Sequence, residues 1–231
     1  MQSDLLLRPF VSVAGIAPPH FEVLSVSTRS ALGRVVEVLG FFDEHLPGPF
    51  KGITGVTLGL AHKTSYDESL PWDLLCALRS RDIAPARVGL EVSESVVRND
   101  TVWQSVVPGL ADHGFRVGVK YYFADSAGFD VLASPYISSI KTDPRVIKGL
   151  ARSKPARQYL RGLKTLAHAL DKSLIVEGVD TIGQALWLEA MGCHTFQGDV
   201  YGPAMAPREA LRFVLEGRQR VAPTIIRPAV A

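Results

Sequence analysis

The chain has 231 residues, enough for one large domain, and its 25 Lys+Arg against 23 Asp+Glu leave a formal charge of +2. With 47% hydrophobic and 21% charged residues the composition is that of a globular protein and excludes wholesale disorder. No basic block gives the footprint of a nucleic-acid binder, and no apolar run approaches the ~20 residues of a membrane span.

Short apolar runs alternate with amphipathic stretches along the chain. The strand candidates, in order, are Leu5–Val13, Phe21–Val26, Thr54–Leu60, Val88–Val92, Arg116–Lys120, Ile137–Lys141, Leu174–Val176 and Thr195–Phe196. Helical periodicity falls between most of them. Ser30–His45 spaces Leu32, Val35, Val36, Leu39 and Phe42 on one face, and Leu70–Arg81 does the same with Leu74, Leu75 and Leu78. Ser95–His113, Ala156–Leu170 and Gln184–Met191 follow the pattern, and Pro207–Gly217 ends on a glycine stop. Such alternation is the signature of an α/β fold, either a (β/α) barrel or a doubly wound sheet. The first two strands are joined only by Ala14–His20, too short for a parallel crossover, so the first strand is expected to run antiparallel to the second. One domain is read over 1–220, with a flexible tail at 221–231 where Pro223 and Pro228 stand without a helical pattern.

The opening residues, MQSDLLLRPF, carry an acid and only three consecutive leucines and do not read as a signal peptide. Cys76 and Cys193 form no CxxC pair, so neither a disulfide framework nor a zinc site is expected, and the setting is read as reduced and cytoplasmic. The six histidines show no ligand spacing. Gly48–Gly55 lacks the Gly-Lys-Ser/Thr ending of a phosphate loop, and the Ser-x-x-Lys match at Ser138–Lys141 has no helix start beside it.

In a barrel the working residues lie where strands end. There this chain carries Glu22, Glu91, Lys120, Lys141 followed by Asp143, Glu177 and Gln197. Carboxylates facing the inside of a barrel are costly unless paired or metal-bound, so three carboxylates and two lysines converging on one mouth mark a candidate site. Taken singly, each is as readily a solvated strand end.

The ordered set resembles the EAL domain family of cyclic di-GMP phosphodiesterases and their inactive relatives. Val176-Glu177-Gly178-Val179-Asp180-Thr181 is similar to the family's EGVET, and Phe196-Gln197-Gly198 with Pro203 to its QG…P motif. Ile140-Lys141-Thr142-Asp143 is similar to LKID, Leu90-Glu91-Val92-Ser93-Glu94-Ser95 to ELTES, and Phe21-Glu22-Val23-Leu24 to the name motif with Val for Ala. Order and spacing agree from about Leu5 to Arg208. The resemblance implies a modified TIM-like (β/α) barrel with an antiparallel first strand. In active members, it further implies a two-metal site that clamps the phosphodiester and activates water.

The departures from the family pattern point away from catalysis. The family's metal-binding Asn falls at Gly59, which has no donor, and its Asp-Asp pair falls at Lys120 and Tyr121. A lysine in that place is an internal counter-ion for the glutamates and repels a divalent cation. No catalytic residue, metal or cofactor is therefore expected. The ligand-binding candidates are Arg8, Glu22, Leu24, Glu91, Lys141, Asp143, Glu177, Asp180 and Gln197. Against binding stand Val26, where the family has a nucleotide-binding arginine, and Arg8, where it has Gln. Three glutamates and two lysines leave the mouth at about −1 facing a dianion, so binding would rest on stacking and hydrogen bonds. The expected function is a non-catalytic receptor that binds cyclic di-GMP weakly and without metal, and relays it to a protein partner. The alternative is a protein-interaction module that has lost the nucleotide. A second copy of the chain is a candidate partner; nucleic acid and membrane are not.

Overall fold

The computed structural model describes residues 5–13, 19–25, 31–47, 55–60, 68–93, 102–120, 129–150 and 152–217. Eight strands close into a barrel in sequence order: β1 (Leu5–Ser12), β2 (His20–Ser25), β3 (Gly55–Leu60), β4 (Val88–Ser93), β5 (Arg116–Lys120), β6 (Ser139–Lys141), β7 (Ser173–Glu177) and β8 (Thr195–Gln197). β1 runs antiparallel to β2 and to β8, and every other neighbouring pair is parallel. The expected TIM-like barrel with a reversed first strand is what is found.

Strand side chains alternate between two environments. Outward residues such as Phe21, Val56, Leu90, Val117 and Phe196 are fully buried beneath helices, whereas the inward ones at β2, β4, β6, β7 and β8 include Glu22, Glu91, Lys141, Glu177 and Gln197. The outer shell is α1 (Ala31–His45), α2 (Leu70–Arg79), α3 (Val107–Asp112, preceded by a π-helical turn at Val102–Val106), α4 (Phe129–Ala133), α5 (Pro144–Gly149), α6 (Lys154–Ala169), α7 (Ile182–Ala190) and α8 (Pro207–Leu215). Phe21 ties strand to shell: its ring stacks on Phe42 of α1 at 5.4 Å and meets Phe213 of α8 edge-on at 6.2 Å. Aromatic pairs of this kind add about 0.5–1.5 kcal/mol beyond the area they bury.

Local chemistry sets the starts of the helices that follow the site strands. Asp143 caps α5 by accepting from the Arg145 N–H, and Pro144 occupies the first turn, where no N–H is needed. Ser153 caps α6, and Thr181 forms a capping box with Gln184 at α7. Helices α4 and α5 were not expected from periodicity; at five and six residues they are too short to show one. Ile137 and Ser138 lie before β6 instead of in it, because Ser138 bonds to the Val117 carbonyl through both its N–H and its hydroxyl ahead of the ladder. The expected tail at 221–231 falls outside the described residues.

Candidate functional site

The cluster is built by sheet register. Glu91 stands opposite Gly59 on one side and Gly118 on the other, so neither neighbouring strand places a side chain beside it. Lys120 and Lys141 are directly paired across β5 and β6, and two ammonium groups side by side require anions. They reach into the gap left by the glycines. Lys120 lies so close over β3 that a Cβ on Gly59 would sit 3.2 Å from its Nζ.

The result is a network centred on four charges, Glu22, Glu91, Lys120 and Lys141, with Glu177 at its edge. Lys141 Nζ donates to Glu22 Oε2 at 2.9 Å and to Glu91 Oε2 at 3.1 Å, and lies 3.6 Å from Glu177 Oε2. Lys120 Nζ donates to Glu22 Oε1 and lies 3.3 Å from Glu91 Oε2. Lys141 is only 1% exposed and sits over the Phe10 ring at 5.0 Å. Burial by itself raises the Glu22 pKa, but Lys141 and Lys120 outweigh it and hold the carboxyl down to about 2. For Lys141 burial works downward, yet Glu91 and Glu22 raise its pKa above the ordinary lysine value. The two ammonium groups and the carboxylates of Glu22 and Glu91 are thus paired with one another across the mouth.

The other sector of the mouth, at β7, β8 and β1, is different. Glu177 is held by weaker contacts: Arg8 Nη1 is 4.0 Å from its Oε1, and burial raises its pKa despite Lys141. Among the described residues, Glu177 Oε2, Arg8 Nε and both polar atoms of the wholly buried Gln197 are shut from solvent without a hydrogen bond. Unmet buried polar atoms cost roughly 1–3 kcal/mol each, so this sector carries hydrogen-bonding capacity that folding leaves unused. Two glycines shape it. Gly178 turns the chain after Glu177 at φ 90°, and a Cβ on Gly198 would lie 2.2 Å from the Val179 carbonyl oxygen, so the backbones after Glu177 and Gln197 pack directly together.

Of the residues expected at the site, Arg8, Glu22, Glu91, Lys141, Glu177 and Gln197 lie in these two sectors. Leu24 is half-buried on the same face of β2 as Glu22. Asp143 is engaged elsewhere: the Arg145 side chain and backbone N–H hold its carboxyl below the ordinary aspartate value. Asp180 is exposed and accepts from the Asp199 N–H at 3.2 Å, joining the loops after β7 and β8. Tyr121 and Val26 lie outside the described residues. Lys120 stands among the glutamates as the counter-ion that the sequence leads one to expect, whereas the placing of Arg8 beside Glu177 follows from barrel closure, which has no local signal. Among the described residues no three His, Cys, Asp or Glu side chains are grouped to hold a metal ion, and no helix is long and apolar enough to cross a membrane.

This architecture is similar to solved EAL domains. The EAL domain of Mycobacterium smegmatis DcpA matches with a TM-score of 0.82 at 18% identity, covering 94% of this chain and 99% of that one. The FimX EAL domain of Pseudomonas aeruginosa bound to c-di-GMP matches with a TM-score of 0.72 at 19% identity, covering 88% and 91%. Among curated relatives, a cyclic di-GMP phosphodiesterase of Pseudomonas aeruginosa is 26% identical over 62% of this chain and 24% of its own length. The blue light- and temperature-regulated antirepressor BluF of Escherichia coli is 24% identical over 57% of this chain and 33% of its own. The chain thus spans a third or less of these curated relatives. The EAL domain model matches residues 32–204, most of the sequence, and on that ground the chain belongs to the EAL domain family.

Proposed function

We propose that this domain is a non-catalytic receptor for cyclic di-GMP, which it binds weakly and without metal and relays to a protein partner. The observation that carries the reading is the division of the mouth into an engaged and an unengaged sector. Glu22 and Glu91, the carboxylates that would hold divalent ions, have lysine ammonium groups at their oxygens instead. These residues do not fit a metal pair, and a fixed positive charge in the gap beside Gly59 opposes one. Without a metal, nothing in the cluster would generate hydroxide at neutral pH.

Glu177, Gln197 and Arg8 retain free hydrogen-bonding atoms. A carboxylate can accept from guanine N1–H and N2–H₂, an amide can both donate and accept, and a guanidinium can meet a phosphate oxygen. With Arg8 counted, three cations balance the three glutamates, which removes the net repulsion expected for a dianion.

Calorimetric titration with cyclic di-GMP tests the reading. Micromolar binding, unchanged by EDTA and lost in Gln197→Ala and Arg8→Ala, is the expected result, with no linear dinucleotide formed overnight. Absence of heat and of a thermal shift at high micromolar nucleotide would remove the receptor reading. It would favour a protein-interaction module, in keeping with the relative named as an antirepressor. Hydrolysis lost in Glu91→Ala would overturn the non-catalytic reading.

A further inference from the structure

The barrel interior contains a second space whose lining includes charged and hydroxyl side chains, at the opposite end from the lysine–glutamate cluster. A cavity of about 490 Å³ opens at the N-terminal ends of the parallel strands, within the size range of small-molecule pockets. We propose that this floor cavity is a second ligand site, for a small hydroxylated anion held at Arg116.

Charge and hydrogen-bonding capacity both point to such a ligand. Two arginines line the cavity. Arg87 is engaged by Asp43 through two parallel bonds of 2.9 and 2.8 Å. Arg116 has no carboxylate partner among the described residues; its Nη2 donates only to His20 Nδ1 at 3.1 Å. A guanidinium can only donate, so Nδ1 is the acceptor of that pair; in the neutral ring Nε2 then carries the hydrogen and faces the Thr57 hydroxyl at 2.6 Å. Burial and Arg116 hold the His20 pKa down to about 3, so the ring brings no charge of its own, and burial also lowers the Arg116 pKa. Arg116 is itself exposed, so an anion entering from solvent reaches it at the rim of the cavity. The hydroxyls of Ser139, Ser173 and Thr195 also line the cavity and make no hydrogen bond to other described residues.

The inner end of the cavity is the lysine-bound Glu91, whose Oε1 is buried without a partner. Its charge is balanced through Oε2 by Lys120 and Lys141, so it does not oppose an anion held at the rim. It offers an acceptor to a hydroxyl at the ligand's far end. An anionic head at Arg116 with a hydroxylated body is the chemistry that fits both ends; phosphate monoesters and hydroxy acids share it.

The test is calorimetry and thermal shift on the full chain with inorganic phosphate, glycerol 3-phosphate and glycerate as probes, at millimolar concentrations. Saturable binding of at least one is expected, with glycerol 3-phosphate above phosphate if the hydroxyls contribute, and preference for glycerate marking a carboxylate head. Arg116→Gln should weaken it at least about tenfold. Ser173→Leu, at an exposed position, keeps the arginine but fills the cavity and should abolish it, which decides the matter even if the arginine variant fails to fold. Wild-type protein that takes up none of the three probes, or binding that either folded variant leaves unchanged, overturns the site.

Discussion

Lys141 is buried among carboxylates from three strands, while Lys120 shares two of them and keeps a 16% exposed side chain. The two lysines should therefore differ in mutational cost. Lys141→Met strands Glu22, Glu91 and Glu177 around an apolar group, and removing one partner of a buried ion pair typically costs about 3–5 kcal/mol. Lys120→Met leaves Lys141 in place for both Glu22 and Glu91 and should cost about 1–3 kcal/mol. Urea unfolding of the two variants checks the order; a Lys120→Met protein with wild-type stability would mean that Lys120 points to solvent. Glu177 gives a contrast of sign. Its pKa is raised by burial, so its ionised form is less favourable in the folded chain than in the unfolded one. Glu177→Gln should raise the unfolding midpoint at neutral pH, whereas Glu22→Gln, which removes the carboxylate held down by two lysines, should lower it.

At the scale of elements, β3 and β5 together decide what the mouth can hold. β3 brings Gly59, with no donor atom, and β5 brings an ammonium into the space above it. Mn²⁺ should bind this protein no better than a control with surface carboxylates, and Lys120→Asp by itself should not create a tight site, because Gly59 still supplies no ligand. Micromolar Mn²⁺ binding abolished by Glu22→Ala would show the lysine to be displaceable. Much of this was legible beforehand. Alternating apolar runs mark all eight strands, with β5 matching residue for residue, and the polar interruptions within them mark the charged cluster at the mouth. What the residues do not display is register. That Glu91 lies between two glycines, and that Arg8, opposite Glu22 on β1, turns its guanidinium to Glu177, follows only once the barrel is closed. Asp143 shows the converse: its Asp-Pro start is a helix-cap signal legible in the sequence, and its carboxylate caps α5.

Across the whole molecule, the inside of the barrel carries titratable side chains at both ends, and each end depends on protonation differently. At the mouth, Glu22 titrates near 2 when folded against 4.5 when unfolded, so its stabilisation is complete above pH 4.5 and lost as pH falls toward 2. At the floor, His20 titrates near 3 when folded against 6.5 when unfolded. Between those values the unfolded chain binds a proton that the folded chain refuses, so stability falls as pH falls through that window. The floor should therefore respond first on acidification. Loss is expected to begin below pH 6.5 with a slope of at most about 1 kcal/mol per pH unit, since protonation of the raised Glu177 carboxyl in the folded chain acts the other way, and to steepen once Glu22 joins below 4.5. His20→Gln, which can still reach the Thr57 hydroxyl and cannot titrate, should flatten the first segment and leave the second intact. Urea midpoints measured from pH 7 down to about 3 separate the two phases. If the wild-type and His20→Gln proteins lose stability in parallel from pH 6.5 to 4.5, the imidazole is protonated in the folded barrel, and the neutral acceptor facing Arg116 is not there.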